Sequence, residues 1–269
     1  MKRIASHTPW SGRVRDFITE LRGAATFAPR SRPRYCADAC LYRLLRVFPS
    51  SASDRVRTID LRDGTRLSYR RNRGDIQAIR EVWLAPTYHP PFATNGLEVL
   101  VDLGANIGFT TVYFARRHGA KTCVAVEPDA ANARLLRRNL DQNGIRAIVL
   151  EAAIGPEDGS GSFTASDESN LGHLNADGDG VPVSIVSMPT VFARLNGRRI
   201  DMLKIDIEGG EGDLFAGDTN WLEGVDAIMM ELHSAVTAVA PIVSRIESHG
   251  LRHIPGNSIR LGATDAFVR

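Results

Sequence analysis

Two acids that each close an apolar run are the residues of this sequence best placed to do chemistry. Asp102 follows Val99-Leu-Val and leads into the small-residue turn Gly104-Ala105-Asn106-Ile107-Gly108. Glu127 follows Cys123-Val-Ala-Val and precedes Pro128. Gly104 and Gly108 allow tight turning and a close backbone approach to a ligand, where a Cβ would clash. A carboxylate at the end of the next strand, about twenty residues on, is placed to accept hydrogen bonds from two ribose hydroxyls. A third run, Ile200-Asp-Met-Leu-Lys204-Ile-Asp206-Ile-Glu208-Gly209-Gly-Glu211, delivers a lysine and several carboxylates at its end. A fourth, Ala227-Ile-Met-Met-Glu231-Leu232, is followed directly by His233.

These residue types narrow the ligand. A dinucleotide turn reads G-x-G-x-x-G, and here the middle glycine is missing. Asp102 would oppose a pyrophosphate docked at the helix terminus, whereas an acid there suits a cationic α-amino group and a sulfonium. That points to S-adenosylmethionine rather than NAD, and the absence of G-x-x-x-x-G-K-[ST] excludes P-loop chemistry. Methyl transfer from a sulfonium is an in-line displacement that depends on alignment. An alcohol acceptor also needs a base or a metal. His233 is the first candidate base, because imidazole titrates close to working pH. Asp206, Glu208, Glu231 and His233, gathered at neighbouring strand ends, would alternatively form a hard-cation site for Mg²⁺ or Mn²⁺. Glu208 or Glu211 can instead serve only the positive N-terminus of the next helix. Lys204 pairs with a carboxylate or orients the acceptor; a strand lysine in an apolar run is unusual.

The elements that must position these residues read as alternating strands and helices from Leu97 onward. Continuous apolar runs at Leu97–Leu103, Thr122–Val126, Ala147–Ala152, Ile200–Ile207 and Ala227–Leu232 are strands buried on both faces. Helical patterns at Phe109–His118 and Ala130–Asn143 separate the first three, giving a doubly wound α/β sheet with right-handed crossovers. Residues 156–180, rich in Gly, Asp and Ser, read as a long surface loop or lid, with His173 facing solvent. A helix near Ala238–His249 and short runs at Leu251–Ile254 and Ala266–Val268 follow. Upstream, Cys36–Val47 reads as a helix, Ser50–Ser53 as a linker, and Thr58–Leu61 with Thr65–Tyr69 as a hairpin. Asp75–Ala85 reads as a helix with Asp75 as its N-cap. The expected organisation is a basic, mainly helical extension over 1–57, a hairpin and helix over 58–94, and a catalytic domain over 95–269.

Composition agrees with a folded enzyme. With 43% hydrophobic and 24% charged residues in 269, the chain can bury a core without disulfides, and its three cysteines are too few for a secreted scaffold. No run is long and apolar enough for a membrane span, and residues 1–30 lack a signal-peptide pattern, so a cytoplasmic location is expected. Residues 1–90 carry a formal charge of +10 and the remainder −8. Either the first part faces something anionic or it packs against the acidic second part. It lacks the interleaved aromatics of a single-strand nucleic-acid platform.

The runs Asp102-Leu-Gly-Ala-Asn-Ile-Gly108, Ala125-Val-Glu-Pro-Asp129, Ala152-Ala-Ile-Gly155 and Leu203-Lys-Ile-Asp-Ile-Glu-Gly209 resemble, in order, those of the FkbM family of S-adenosylmethionine-dependent methyltransferases. The likeness covers roughly residues 95–235. It implies a class I methyltransferase fold, a Rossmann-like doubly wound sheet of seven strands with an antiparallel last strand, which Thr264–Val268 would supply. By position, it puts Asp102, Gly104, Ala105, Asn106 and Gly108 beside the methionine part of the cofactor, with Glu127 and Pro128 at the ribose. Glu151-Ala152-Ala153-Ile154 would then lie beside adenine, and Asp206 and Glu208 between cofactor and acceptor. The implied substrates are hydroxyls of sugars or small metabolites, with nucleic acid disfavoured and an oligomer compatible. Met188-Pro189-Thr190 departs from the family's Thr-Leu-Asp, on the acceptor side. Two other readings compete: methylation of RNA or protein through the basic first ninety residues, and a non-catalytic interaction module on the same fold.

Overall fold

The computed structural model describes residues 23–47, 55–71, 74–84, 88–94, 96–164, 173–175, 180–233, 237–256 and 264–269. The expected linker Ser50–Ser53 and the side chain of His173 lie outside what is described.

The elements are, in chain order, α1 (Arg32–Val47), β1 (Val56–Asp60), β2 (Arg66–Arg70), α2 (Asp75–Ile79), β3 (Val99–Leu103), α3 (Phe109–His118), β4 (Thr122–Val126), α4 (Ala130–Asp141) and β5 (Ala147–Leu150). They continue with β6 (Ala153–Ile154), β7 (Gly159–Thr164), β8 (His173–Asn175), β9 (Val181–Val186), α5 (Met188–Ala193), β10 (Met202–Ile205) and α6 (Glu211–Ala216). The last are β11 (Ala227–Glu231), α7 (Val239–Ser248), β12 (Arg252–Ile254) and β13 (Thr264–Val268).

Strands whose side chains are apolar on both faces can only sit inside a sheet covered on both sides. Every residue of β3 and β10 is buried accordingly. They form the middle of a seven-stranded sheet of order β12-β13-β11-β10-β3-β4-β5. The contacts of β3, β4, β5, β10 and β11 are parallel, and β13 runs antiparallel between β11 and β12. This is the doubly wound sheet with an antiparallel final strand expected above. The strand order reverses between β3 and β10, and crevices for ligands open at the carboxyl ends of strands at such a point.

Three local expectations are corrected. Residues 156–180 are not one loop. β7 and β8 lie within that stretch and join β6 and β9 in a separate four-stranded sheet of order β6-β9-β7-β8. Gly and Ser hide this because the pairing, Gly159 with Ile185 through Phe163 with Val181, is decided across the sheet rather than along the chain. The apolar run Ala147–Ala152 likewise is not strand throughout, since β5 stops at Leu150 in the main sheet and β6 begins at Ala153 in the second. Asp75, expected as an N-cap, is instead the first residue of α2, behind Gly74. Its carboxylate accepts hydrogen bonds from Arg70 N (2.7 Å), Nε (2.9 Å) and Nη2 (3.1 Å). α2 then continues as a π-turn over Arg80–Leu84.

The hairpin β1–β2 is tied to α4 by buried polar groups. Asn139 accepts from Ser68 N (2.7 Å) and donates through Nδ2 to Ser68 O (3.0 Å) and Ile107 O (2.8 Å), so one side chain links the hairpin to the Gly104–Gly108 turn. Arg70 Nη2 also donates to Asn132 Oδ1 at 2.7 Å. With Arg70 and Asp75 both buried, removing one charge strands the other, at a cost of about 3–5 kcal/mol. Asp75→Ala is therefore expected to lower unfolding free energy by that amount in urea titrations, and a loss under about 1 kcal/mol would show the hairpin to be only loosely attached.

Candidate active site

The turn after β3 is shaped by backbone constraints before any ligand enters. Gly104 and Gly108 have φ of +73° and +85°, and Asn106 has φ of +49°. A Cβ on Gly104 would lie 1.8 Å from the carbonyl oxygen of Asp206, and one on Gly108 would lie 2.4 Å from Leu136 Cδ1. The glycines allow the tight turn expected and are also required by the segment after β10 and by α4 packed against it. Gly104 N and Ala105 N both donate to Val126 O, at 3.0 and 2.9 Å, fastening the turn to β4.

At the end of β4, Glu127 is buried and accepts from Asn106 N (2.8 Å), Asp129 N (2.9 Å) and Asn132 Nδ2 (3.3 Å). Burial outweighs these donors and raises its pKa to about 7. Asp129 caps α4, accepting from Asn132 N at 2.7 Å. A cavity of about 630 Å³ opens beside this acid. Gly104, Asn106, Glu127 and Pro128 border it, and Ala152–Ile154, Phe163 and Ile185 make an apolar wall. Asp206, Glu208 and Asp213 line its acidic part. The second sheet supplies Phe163 and Ile185, so the segment expected to be a loop is part of the wall.

The charges behind the cavity are dense. Lys204 is 2% exposed, with Nζ 3.2 Å from Asp102 Oδ1 and 3.7 Å from Asp206 Oδ2. It also donates to Gly104 O at 2.7 Å and Leu103 O at 3.3 Å. Burial opposes its charge, but Asp102 and Asp206 prevail and hold its pKa above the usual lysine range. Asp102 is fully buried, its other oxygen accepting from Thr111 Oγ1 at 2.6 Å. Asp206 accepts from Tyr88 OH at 3.0 Å through Oδ2. Its Oδ1 is buried and has no hydrogen-bond partner among the described residues.

His233 Nδ1 stands 2.9 Å from Glu211 Oε1, and Nε2 stands 3.3 Å from Glu208 Oε2 and 4.0 Å from Asp206 Oδ1. Glu208 and Glu211 raise its pKa to about 11, so it is an imidazolium at neutral pH. A ring already protonated cannot accept the acceptor's proton. This weighs against the expected role of His233 as base. Burial raises Glu231 to about 8 and Glu81 to about 7, each also pushed up by neighbouring carboxylates.

Comparison with known proteins now bears on this geometry. The family model for the methyltransferase FkbM domain matches residues 102–252. The chain belongs to the FkbM methyltransferase family. It is similar to the 31-O-demethyl-FK506 methyltransferase FkbM of Streptomyces tacrolimicus, at 26% identity over 239 residues, covering 74% of this chain and 90% of that relative. Methyltransferase 1 of Beauveria bassiana is 25% identical over 198 residues, 64% of this chain and 78% of the relative. In fold, the chain resembles methyltransferase FkbM from Methylobacillus flagellatus KT, with a TM-score of 0.50 and 12% identity. That likeness covers 96% of this chain and 60% of the solved one.

In this FkbM domain the structure brings Gly104, Asn106, Glu127, Pro128, Ala152, Ala153, Asp206 and Glu208 to one cavity. Asp102, Ala105, Gly108, Lys204, Glu231 and His233 do not border it. Asp102 and Lys204 instead form the buried pair beneath the turn. Glu231 also stands outside the close set of Asp206, Glu208 and His233, though its charge is felt by theirs. Sequence reading missed Tyr88 and Glu81. Neither carries a periodic or motif signal, and Tyr88 reaches Asp206 across 118 positions. Among the described residues, no helix is long and apolar enough to cross a membrane.

The imidazolium has a consequence for stability. The folded-state pKa of about 11 lies above the ordinary 6.5, so His233 stabilises fully below pH 6.5 and loses that contribution as pH rises toward 11. The stability difference between wild type and His233→Gln should shrink over that window in urea titrations. A difference independent of pH would show that the ring is not held protonated.

Proposed function

We propose that this methyltransferase uses S-adenosylmethionine to methylate a hydroxyl of a sugar or small metabolite. The observation that carries the reading is the cavity itself: one carboxylate, Glu127, stands between an apolar wall and an acidic end. Its volume of about 630 Å³ lies within the roughly 300–1,000 Å³ of small-molecule sites. The residues fit the cofactor's chemistry. Ala152, Ala153, Ile154, Phe163 and Ile185 offer apolar surface for adenine, and Glu127 retains lone pairs for ribose hydroxyls. Asn106 Oδ1, buried and without a hydrogen-bond partner among the described residues, and Asp206 offer acceptors for the α-amino group. When bound, the cofactor supplies an electrophilic methyl on sulfur.

The chain's residues then have the following work. Glu127 would hold the ribose, and the turn fastened to Val126 O would border the methionine part. Tyr88 keeps Asp206 oriented toward the cavity, so the 58–94 segment is proposed as a wall of the acceptor end. The acceptor's proton passes into the carboxylates of that end. Asp206 and Glu208 line that end and are the carboxylates placed to receive it. Exocyclic-amine methyltransferases commonly carry an Asn/Asp-Pro-Pro-aromatic run where this chain reads Asp206-Ile-Glu208-Gly209. The relative named for 31-O-demethyl-FK506 also supports oxygen as the acceptor atom.

Isothermal titration with S-adenosylmethionine and S-adenosylhomocysteine, with NADH as control, tests the cofactor. Both sulfur ligands should bind and NADH should not. Glu127→Ala should weaken them about 10- to 100-fold, the worth of hydrogen bonds to a charged group. Failure of folded wild type to bind either would overturn the reading. Methyl-labelled cofactor offered with sugar and small-metabolite acceptors should then give O-methyl products by NMR, whereas N-methyl products would sink the oxygen assignment.

A further inference from the structure

We infer that Asp206, Glu208 and His233 form a site for one divalent cation at the acceptor end of the cavity, favouring Mn²⁺ over Mg²⁺. The inference rests on the reading of that end as the acceptor side. One ligand atom from each residue lies within 4.8 Å of the others, with His233 Nε2 at 3.3 Å from Glu208 Oε2 and 4.0 Å from Asp206 Oδ1. Ligands at about 2.1 Å from an ion in octahedral geometry stand roughly 3.0 to 4.2 Å apart, which is the spacing found between His233 and the two acids.

The surroundings are those of an oriented ligand set. His233 presents Nε2 to the two acids because Nδ1 is engaged by Glu211, which is fully buried and also accepts from Gly209 N at 3.3 Å. A carboxylate behind the imidazole is the usual device for fixing the ring of a metal-ligating histidine. Asp206 is braced by Tyr88 on Oδ2, which leaves Oδ1 buried and without a hydrogen bond on the side of His233. A buried acceptor left unmet is costly, and a cation would meet it.

Charge points the same way. The charges of Glu81, Asp206, Glu208 and Glu231 are felt by one another there, with Arg80, Lys204 and His233 as the opposing cations. Two carboxylate oxygens with one imidazole nitrogen suit Mn²⁺ better than Mg²⁺, which prefers oxygen donors and retained water. Loading exchanges the Nε2 proton for the ion, and the proton leaves to solvent. Asp206 and Glu208 line the cavity, so positions not taken by protein face the acceptor. A hydroxyl bound there would be acidified, which is the aid an alcohol nucleophile needs.

The test is Mn²⁺ binding by EPR and calorimetry on protein stripped with EDTA, independent of turnover. Wild type should take up one Mn²⁺ saturably, with Mg²⁺ at least about tenfold weaker, and pulsed EPR should show nitrogen coupling from one imidazole. His233→Gln should abolish that coupling, and both His233→Gln and Asp206→Asn should weaken Mn²⁺ about 10- to 100-fold. Glu211→Gln, at a positioning residue, should retain the nitrogen coupling but bind about tenfold more weakly. No saturable Mn²⁺ binding to wild type, unchanged binding by His233→Gln, or Mg²⁺ binding as tight as Mn²⁺ would overturn the proposal. S-adenosylmethionine titrated into the same samples separates the two ideas: cofactor binding without Mn²⁺ binding rejects the metal alone, and the reverse rejects the cofactor reading alone.

Discussion

A lysine ammonium buried in the middle of a parallel sheet must be neutralised where it stands, and the architecture around Lys204 follows from that. Its partner Asp102 lies directly across the register between β10 and β3. The remaining donors of the ammonium go to the carbonyls of Leu103 and Gly104, the last residue of β3 and the first of the turn. One charge therefore clamps together the two strands between which the sheet order reverses. Breaking such a pair by deleting one member leaves a charge with no water to solvate it, which makes the clamp obligatory.

The clamp explains why the turn takes its form. With β10 held against β3, the carbonyl of Asp206 comes so close to Gly104 that no side chain fits there. The turn is further pinned by Val126 O on one side and by Asn139 on the other. Asn106 is then presented to Glu127 through its backbone N–H, and the acid stays buried while still bordering the cavity. The hairpin before the core takes part in this, since Asn139 bridges it to the turn and Tyr88 reaches Asp206. Segments that look peripheral in the chain are thus joined to the site by buried hydrogen bonds.

The cavity is divided in chemistry as well as in shape. Its apolar wall is built from the second sheet, β6 included, and suits recognition of a flat ring by burial. Its other end gathers carboxylates whose charges repel one another, with His233 held as a cation between Glu208 and Glu211. Family motifs reach both ends, since Leu203-Lys-Ile-Asp-Ile-Glu-Gly209 supplies Asp206 and Glu208 to the second.

Much of the fold was legible in the chain because parallel strands buried on both faces must be continuous apolar runs, and because two glycines around Asn106 leave few turn geometries. The cavity residues Gly104 and Glu127 were legible from the strand ends, whereas Asn106, Ala152 and Ala153 came from the family resemblance. The second sheet did not, since Gly, Ser and Asp between Gly155 and Val181 carry no alternation and their pairing is non-local. Nor could sequence decide that Asp102 is spent on Lys204, that Tyr88 holds Asp206, or that His233 is charged. Each depends on distances between residues far apart in the chain, and charge state is set by those distances and by burial. Sequence by itself determined which residues stand at the strand ends; only tertiary structure decided which of them face the cavity and which charges they carry.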